Sequence, residues 1–495
     1  MKKNLKIYAS ALFIFVLVLP YIFISCGGDK PEMFKAGSIA ENEFDPEVWG
    51  KIFPLQYESW KKTKDPRPTG KSMYKRGWGT DKIIYDKLSE FPFLGLLFNG
   101  WGFGVEYNEP RGHHFAIIDQ LEIDPSRTGA GGVCLACKSP LHKSYTEQHG
   151  MKYLTAKFND ALNMYPEKMK LIGPACADCH KPSDMSLRIN KTHLENGLKL
   201  IGKTEFSRQE MRILACGQCH ITYYVPRTPE KKVNGDVALP WTGGKWGNIS
   251  IENIIKDLLT DTKRIEWKQK VTGFDMPFIR HPEFEMFTKG SVHFNAGLAC
   301  ADCHMPYTRV GSYKISNHDV QSPIKQDFIA CAQCHTESAD WIRKQVFTTQ
   351  ERTISLLTRA GYASATAARL FEIVHENQAK GVKVDQNLYA KAKECYMQGF
   401  IRLNFVSAEN STGFHNSTEA ARILGDSVAF AGKSETLLRQ LIVQSGIKLP
   451  EKINLDLNKF LTGRGKHKLN FKPDQEFKDP YGTQDYFTPK DVKGL

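Results

Sequence analysis

Ten of the chain's twelve cysteines fall in five C-x-x-C pairs. Four pairs run directly into histidine: Cys176-Ala177-Asp178-Cys179-His180, Cys216-Gly217-Gln218-Cys219-His220, Cys300-Ala301-Asp302-Cys303-His304 and Cys331-Ala332-Gln333-Cys334-His335. The remaining pair, first in chain order, is Cys134-Leu135-Ala136-Cys137-Lys138, with lysine where the others have histidine. In C-x-x-C-H the thiols add to the haem vinyl groups as thioethers and the adjacent imidazole becomes an axial iron ligand. One isolated C-x-x-C also fits a zinc site or a redox dithiol; four that each continue into histidine do not. Disulfide frameworks belong to chains far shorter than these 495 residues. The spacing predicts five covalently bound c-type haems, one of which differs.

Histidine on both axial positions suits electron transfer, whereas an iron that reacts keeps one position open. A lysine can ligate only as the free amine, and burial beside a cationic iron disfavours the ammonium form. Lys138 is therefore expected to hold the reactive iron. With the proximal histidines His180, His220, His304 and His335 set aside, eleven of the fifteen histidines remain for four distal positions. Pattern alone does not choose among them.

The elements that must carry these motifs are uneven in texture. The motifs begin at 134, 176, 216, 300 and 331, too irregular for a repeat array. Residues 1–26 read as an export signal: Lys2, Lys3 and Lys6 precede an apolar run from Ile7 to Ile24, broken by Pro20. The run ends in Phe23-Ile24-Ser25-Cys26-Gly27-Gly28, similar to a lipoprotein cleavage site with phenylalanine in the usual leucine position. Lipidation of Cys26 is expected; an uncleaved anchor is the alternative. Either way the remainder lies outside the cytoplasm, in the periplasm, where c-type haem is attached.

Residues 27–445 form the catalytic domain, with a haem core over 110–336 in which helical patterns are brief and broken by Gly and Pro. From 339 to 445 apolar residues such as Ile342, Val346, Ile354, Leu357, Leu370, Ile373 and Val374 recur at helical spacing, predicting long amphipathic helices. Cys395 falls there as a helical core thiol without an evident partner. Residues 446–495 are polar and rich in Lys, Asp, Gly and Pro, and read as a tail wrapped over the surface. The fold class is mainly α, a multihaem c-type cytochrome with a compact haem core and long C-terminal helices.

The formal charge of +13 drops to about +4 once five haems at about −1 each, a neutral Lys138 and a removed leader are counted. It gives no reason to expect a nucleic-acid partner. No Rossmann fingerprint or phosphate loop is evident, which argues against a bound nicotinamide donor.

One C-x-x-C-K haem followed by four C-x-x-C-H haems resembles the pentahaem, ammonia-forming cytochrome c nitrite reductases. The likeness extends to Gln56-Tyr57-Glu58-Ser59-Trp60, Tyr107-Asn108-Glu109-Pro110-Arg111-Gly112-His113, Arg127-Thr128-Gly129-Ala130, Cys303-His304-Met305-Pro306 and Ala408-Glu409-Asn410-Ser411-Thr412-Gly413-Phe414-His415-Asn416. It covers about residues 45–445. It implies His113 opposite His220, His318 opposite His180, His415 opposite His304 and His293 opposite His335. His114, His142, His149, His193, His375 and His467 are left without an iron, the last five as surface or helix histidines. The family frame also makes Arg127 the active-site arginine, Tyr223 the active-site tyrosine and His281 the histidine beside the substrate.

Those residue types suit nitrite reduction to ammonium, which consumes six electrons and eight protons. A permanent cation attracts and orients the anion; an imidazole and a phenol can hydrogen-bond its oxygens and relay protons. Many family members also bind calcium beside the reactive haem, through a glutamate, a glutamine and a lysine carbonyl. Here those places hold Thr222, Arg280 and Phe278. Calcium wants several hard oxygen ligands, so the sequence resembles the calcium-independent branch, with Arg280 as the ion's substitute and no calcium expected. The resemblance further implies a homodimer packed through the long helices and a membrane-bound multihaem quinol dehydrogenase as electron donor. Two other readings stay open: a related multihaem reductase of hydroxylamine or sulfite, and a non-catalytic multihaem electron carrier.

Overall fold

The computed structural model describes residues 38–65, 72–74 and 85–483. The export segment with Cys26 and residues 484–495 lie outside the described residues.

Three long helices, Ala339–Ala379, Gln386–Ala408 and Ser417–Gln444, pack side by side at the C-terminal end. Each begins on a side-chain cap that satisfies otherwise unpaired backbone donors. Ser338 Oγ accepts from Trp341 N, Asp385 Oδ1 from Asn387 N and Leu388 N, and Asn416 Oδ1 from Glu419 N. The first, at 41 residues, spans roughly 60 Å. Small residues set how closely the helices approach. Ser427 Oγ donates to Gly399 O at 2.7 Å and Ser434 Oγ to Ala392 O at 2.9 Å, tying the second and third helices together. Gly361 of the first helix leaves room for the Phe93 ring, which any added Cβ would strike.

Ahead of this bundle the chain is a succession of short helices and 3-10 turns, with two small antiparallel pairs, Trp267–Lys268 with Asp275–Met276 and Tyr307–Val310 with Tyr313–Ser316. The cysteine motifs form their own turns. In the two C-A-D-C motifs the aspartate reaches back to the residue before the first cysteine: Asp178 Oδ2 accepts from Ala175 N at 3.0 Å and Asp302 Oδ2 from Ala299 N at 2.7 Å.

The C-terminal segment is more than a surface wrap. Ile453, Leu455, Leu457, Phe460, Leu461 and Phe477 are buried within the largest hydrophobic cluster, together with Phe91, Phe93 and the first long helix. Each such side chain contributes about 1.5–3 kcal/mol on burial, so this stretch belongs to the folded domain at least to Phe477.

Candidate haem channel and reactive pocket

A cavity of about 2760 Å³ runs through the part of the molecule that carries the motifs, several times the roughly 300–1,000 Å³ of a single-ligand pocket. All ten motif cysteines line it, with Lys138. So do nine histidines: His180, His220, His304 and His335 beside the cysteines, then His113, His281, His293, His318 and His415. His114, His142, His149, His193, His375 and His467 do not line it.

The histidines meet in pairs across the cavity. Ring centroids lie 6.3 Å apart for His180 and His318, 6.2 Å for His304 and His415, and 6.5 Å for His293 and His335. An imidazole nitrogen lies about 2.0–2.1 Å from a first-row metal and the ring centre roughly 1.1 Å beyond it, so rings on opposite sides of one ion have centroids about 6.3 Å apart. The observed separations fit an iron between each pair. His220 instead lies 6.0 Å from His281, centroid to centroid; its charge, after burial, helps push the His113 pKa down to about 4.

Hydrogen bonds decide which ring nitrogen is available. His180 Nδ1 donates to Met185 O at 2.9 Å, His304 Nδ1 to Gln321 O at 3.1 Å, His318 Nδ1 to Ser316 O at 2.8 Å and His415 Nδ1 to Glu409 Oε1 at 2.6 Å. These oxygens can only accept, which places the proton on Nδ1 and leaves the Nε2 lone pair for a metal. Four of the six histidines outside the cavity are reversed. Nε2 is engaged by Asp236 in His142, by Gln218 O in His193, by Tyr389 Oη in His375 and by Glu122 O in His467. His142 and His193 are helix residues, but buried rather than on the surface.

The reactive pocket forms around the first motif. Arg127 sits on the 3-10 turn Pro125–Thr128, which Asp124 caps by accepting from Ser126 N. Its guanidinium stacks on the Phe103 ring at 3.6 Å and its Nη1 donates to Glu106 O at 2.6 Å. Its Nε is buried and has no partner. Burial pushes its pKa down to about 10, leaving it cationic at neutral pH. Tyr223 also lines the cavity, and burial raises its phenol pKa well above the usual range. His281 has a left-handed φ of 49° and is steadied by Asn410 Nδ2 at 3.3 Å from its Nδ1. Glu283 lies between His281 and His220, with carboxylate oxygens 3.9 Å and 3.7 Å from their Nδ1 atoms. Holding a non-glycine residue in the left-handed region costs of order 1–3 kcal/mol and is met where the surroundings fix it.

Arg280 forms a two-pronged pair with Glu266, Nη1 to Oε1 at 2.6 Å and Nη2 to Oε2 at 2.8 Å, and its Nη1 lies 3.5 Å from Phe278 O. Its pKa moves up because, although burial opposes its charge, Glu266 outweighs that effect. The guanidinium carbon lies 5.1 Å from the Tyr223 ring centre. Thr222 is buried, and its N–H donates to both oxygens of Glu285 at 3.1 Å. Glu285 has its pKa raised by burial to about 8.

Sequence reasoning placed Arg127, Lys138, Tyr223, Arg280 and His281, and all five line the one cavity. It assigned no role to Glu266, Glu283, Asn410, Phe103 or Glu106. Asn410 lay inside a quoted motif and Glu283 two residues after His281; Glu266 and Phe103 carry no local pattern that would mark them.

Paired imidazoles with free Nε2 atoms, set beside cysteine pairs in one continuous cavity, define a multihaem c-type cytochrome. The cytochrome c552 family model matches residues 45–489, and the chain belongs to that family. The match runs past 445, in keeping with the buried C-terminal segment. The chain is 32% identical over 424 residues to the cytochrome c nitrite reductase subunit NrfA of Nitratidesulfovibrio vulgaris, covering 81% of this chain and 78% of the relative. It is 31% identical over 470 residues to a cytochrome c-552 of Maridesulfovibrio salexigens, covering 90% and 87%. The solved catalytic subunit of cytochrome c nitrite reductase from Desulfovibrio desulfuricans superimposes with a TM-score of 0.73 at 28% identity, covering 86% of this chain and 91% of that one. That protein is described with two calcium sites.

Proposed function

We propose that this chain is a periplasmic reductase converting nitrite to ammonium, with five covalently bound c-type haems, the reactive one held by Cys134, Cys137 and Lys138. The observation that carries the reading is Arg127: a buried, permanent cation with a partnerless Nε, in the cavity that Lys138 and the first cysteine pair line. A fixed cation lining a cavity attracts and orients an anion there.

When bound, the haem of the first motif supplies the iron at which nitrogen is reduced, and the four others supply electrons. His113 with His220, His318 with His180, His415 with His304 and His293 with His335 would ligate those four. Arg127 draws nitrite in and orients its oxygens. Tyr223 and His281 donate hydrogen bonds to those oxygens and pass protons as N–O bonds break, and Asn410 and Glu283 keep the His281 ring aimed. Lipidation of Cys26, a homodimer through the long helices and a membrane-bound multihaem quinol dehydrogenase as donor complete the proposal. An electron carrier would leave its ferric spectrum unchanged on adding nitrite or cyanide; this protein is expected to shift with both.

Arg280 takes the place of calcium in this reading. Its charge, fixed by Glu266 beside the Phe278 carbonyl, is a positive centre that needs no metal loading. Purified enzyme should hold no stoichiometric calcium and keep its activity after thorough chelation. Arg280→Gln should lose activity without recovery on adding calcium, because Thr222 offers no carboxylate and Glu266 is left buried and unpaired by Arg280. A tightly held calcium whose removal inactivates the native enzyme would refute the substitution.

A further inference from the structure

The C-terminal segment packs, through Arg464, against the chain that supports the reactive pocket. Arg464 is 8% exposed. Its guanidinium forms an ion pair with Asp86, Nη2 to Oδ2 with Nη1 3.4 Å from Oδ1, and Nη1 also lies 3.4 Å from Val105 O. Asp86 in turn caps the short helix Lys87–Glu90, accepting from Leu88 N at 3.2 Å and Ser89 Oγ at 2.8 Å. Asp86 bridges to Asn108, and Lys87 N donates to Tyr107 O at 2.7 Å. Residues 86–90 and 105–108 are thus paired through their backbones, and one buried arginine spans the two from the C-terminal segment.

The second of those stretches is what Arg127 rests on. Glu106 O accepts from Arg127 Nη1 at 2.6 Å, and Glu106 Oε2 accepts at 3.2 Å from Asp124 N, at the start of the turn that carries Arg127. The Tyr107 ring centre lies 5.5 Å from the guanidinium. Gly465, with φ +71°, lies so close that an added Cβ would meet Glu106 Oε2 at 3.0 Å and Val105 O at 3.3 Å. Arg464 and Gly465 therefore lie against the Val105 carbonyl, one residue before the Glu106 carbonyl that holds Arg127, and Gly465 also lies against the Glu106 carboxylate.

We propose that Arg464 is a positioning residue for anion capture, through which the last forty or so described residues fix the Arg127 guanidinium in the substrate pocket. The proposal rests on the role given to Arg127 above. Its distinguishing consequence is charge selectivity: a displaced Arg127 weakens capture of anionic nitrite and leaves capture of hydroxylamine, uncharged at neutral pH, almost as it was.

The test compares holoenzyme carrying Arg464→Gln and Arg464→Lys with wild type. Measured are kcat and KM for nitrite and for hydroxylamine, the nitrite Kd of the resting ferric enzyme, and Tm. A misplacement of this kind should lower nitrite kcat/KM by about 10- to 100-fold, chiefly through KM. Nitrite Kd should weaken in parallel, hydroxylamine should stay near wild type, and Arg464→Lys should fall between. If Arg464→Gln does not accumulate, Asp86→Asn with Arg464→Gln leaves no buried charge unpaired, keeps an oxygen to cap the helix, and should give the same selectivity loss. Equal losses on both substrates, or a lowered Tm with the nitrite-to-hydroxylamine ratio unchanged, would overturn the inference. A wild type that does not reduce nitrite would remove it together with the proposed function, whereas nitrite-active wild type with unaltered variants removes it alone.

Discussion

Arg127→Ala is expected to cut nitrite kcat/KM by about 10²–10³-fold, the usual loss when one positioned donor to a reacting oxyanion is removed. The large effect follows from where the residue sits. Its guanidinium is buried, stacked on Phe103 at 3.6 Å and anchored at 2.6 Å to Glu106 O, so it is already paid for and aimed before substrate arrives. Alanine removes the cation and leaves an apolar hollow with nothing to exchange for nitrite's water. The loss should fall mostly in KM and in the ferric nitrite Kd. His281→Ala and Tyr223→Phe should instead lower kcat, because each removes a proton donor rather than the charge that captures the anion. Steady-state kinetics on the three variants check this, and wild-type constants in all of them would remove these residues from the pocket.

Lys138→His should change the enzyme more deeply. If the attachment machinery accepts the fifth C-x-x-C-H, the haem is retained, but an imidazole differs from an amine in bulk and in electron donation. The variant should show an altered ferric spin-state spectrum and a nitrite turnover reduced by an order of magnitude or more, about 1.4 kcal/mol or above in barrier. Ser139 O, one residue on, accepts from buried Lys191 Nζ at 2.7 Å, and Pro140 O accepts from Asn190 Nδ2 at 3.2 Å. With the backbone beside Lys138 clamped in this way, it cannot readily shift to suit a shorter ligand. Unchanged spectra and rates would mean that Lys138 is not an iron ligand.

How much of this was legible beforehand depended on whether the chemistry was local. The cysteine motifs announce themselves because thioether attachment needs two thiols and a ligand within five residues. The long helices were equally plain, since an apolar stripe recurring over 339–445 has few other readings; their separate starts at Ser338, Asp385 and Asn416 came only with the structure. Distal histidines were not legible from pattern, because what distinguishes His318 from His193 is which ring nitrogen a backbone oxygen engages, Nδ1 by Ser316 O in one and Nε2 by Gln218 O in the other. Only the family frame proposed partners for them. Glu266 was invisible for the same reason: it matters through Arg280, fourteen residues away, across a hairpin that no periodicity foretold. The C-terminal segment misled because it is rich in Lys, Gly and Pro, while its apolar residues Ile453 and Leu455 lie outside any helix or strand and Leu457 in a turn. Their burial comes from joining the large cluster that also holds Phe91 and Phe93, far away in sequence.

The most direct measurement is the stoichiometry of nitrite consumption by the purified holoenzyme under a reduced dye, with hydroxylamine and sulfite run alongside. The account predicts one ammonium released and six dye electrons consumed per nitrite, with nitrite turnover exceeding that of sulfite. Dye oxidation by sulfite but not by nitrite, or no turnover of any of the three, would contradict it.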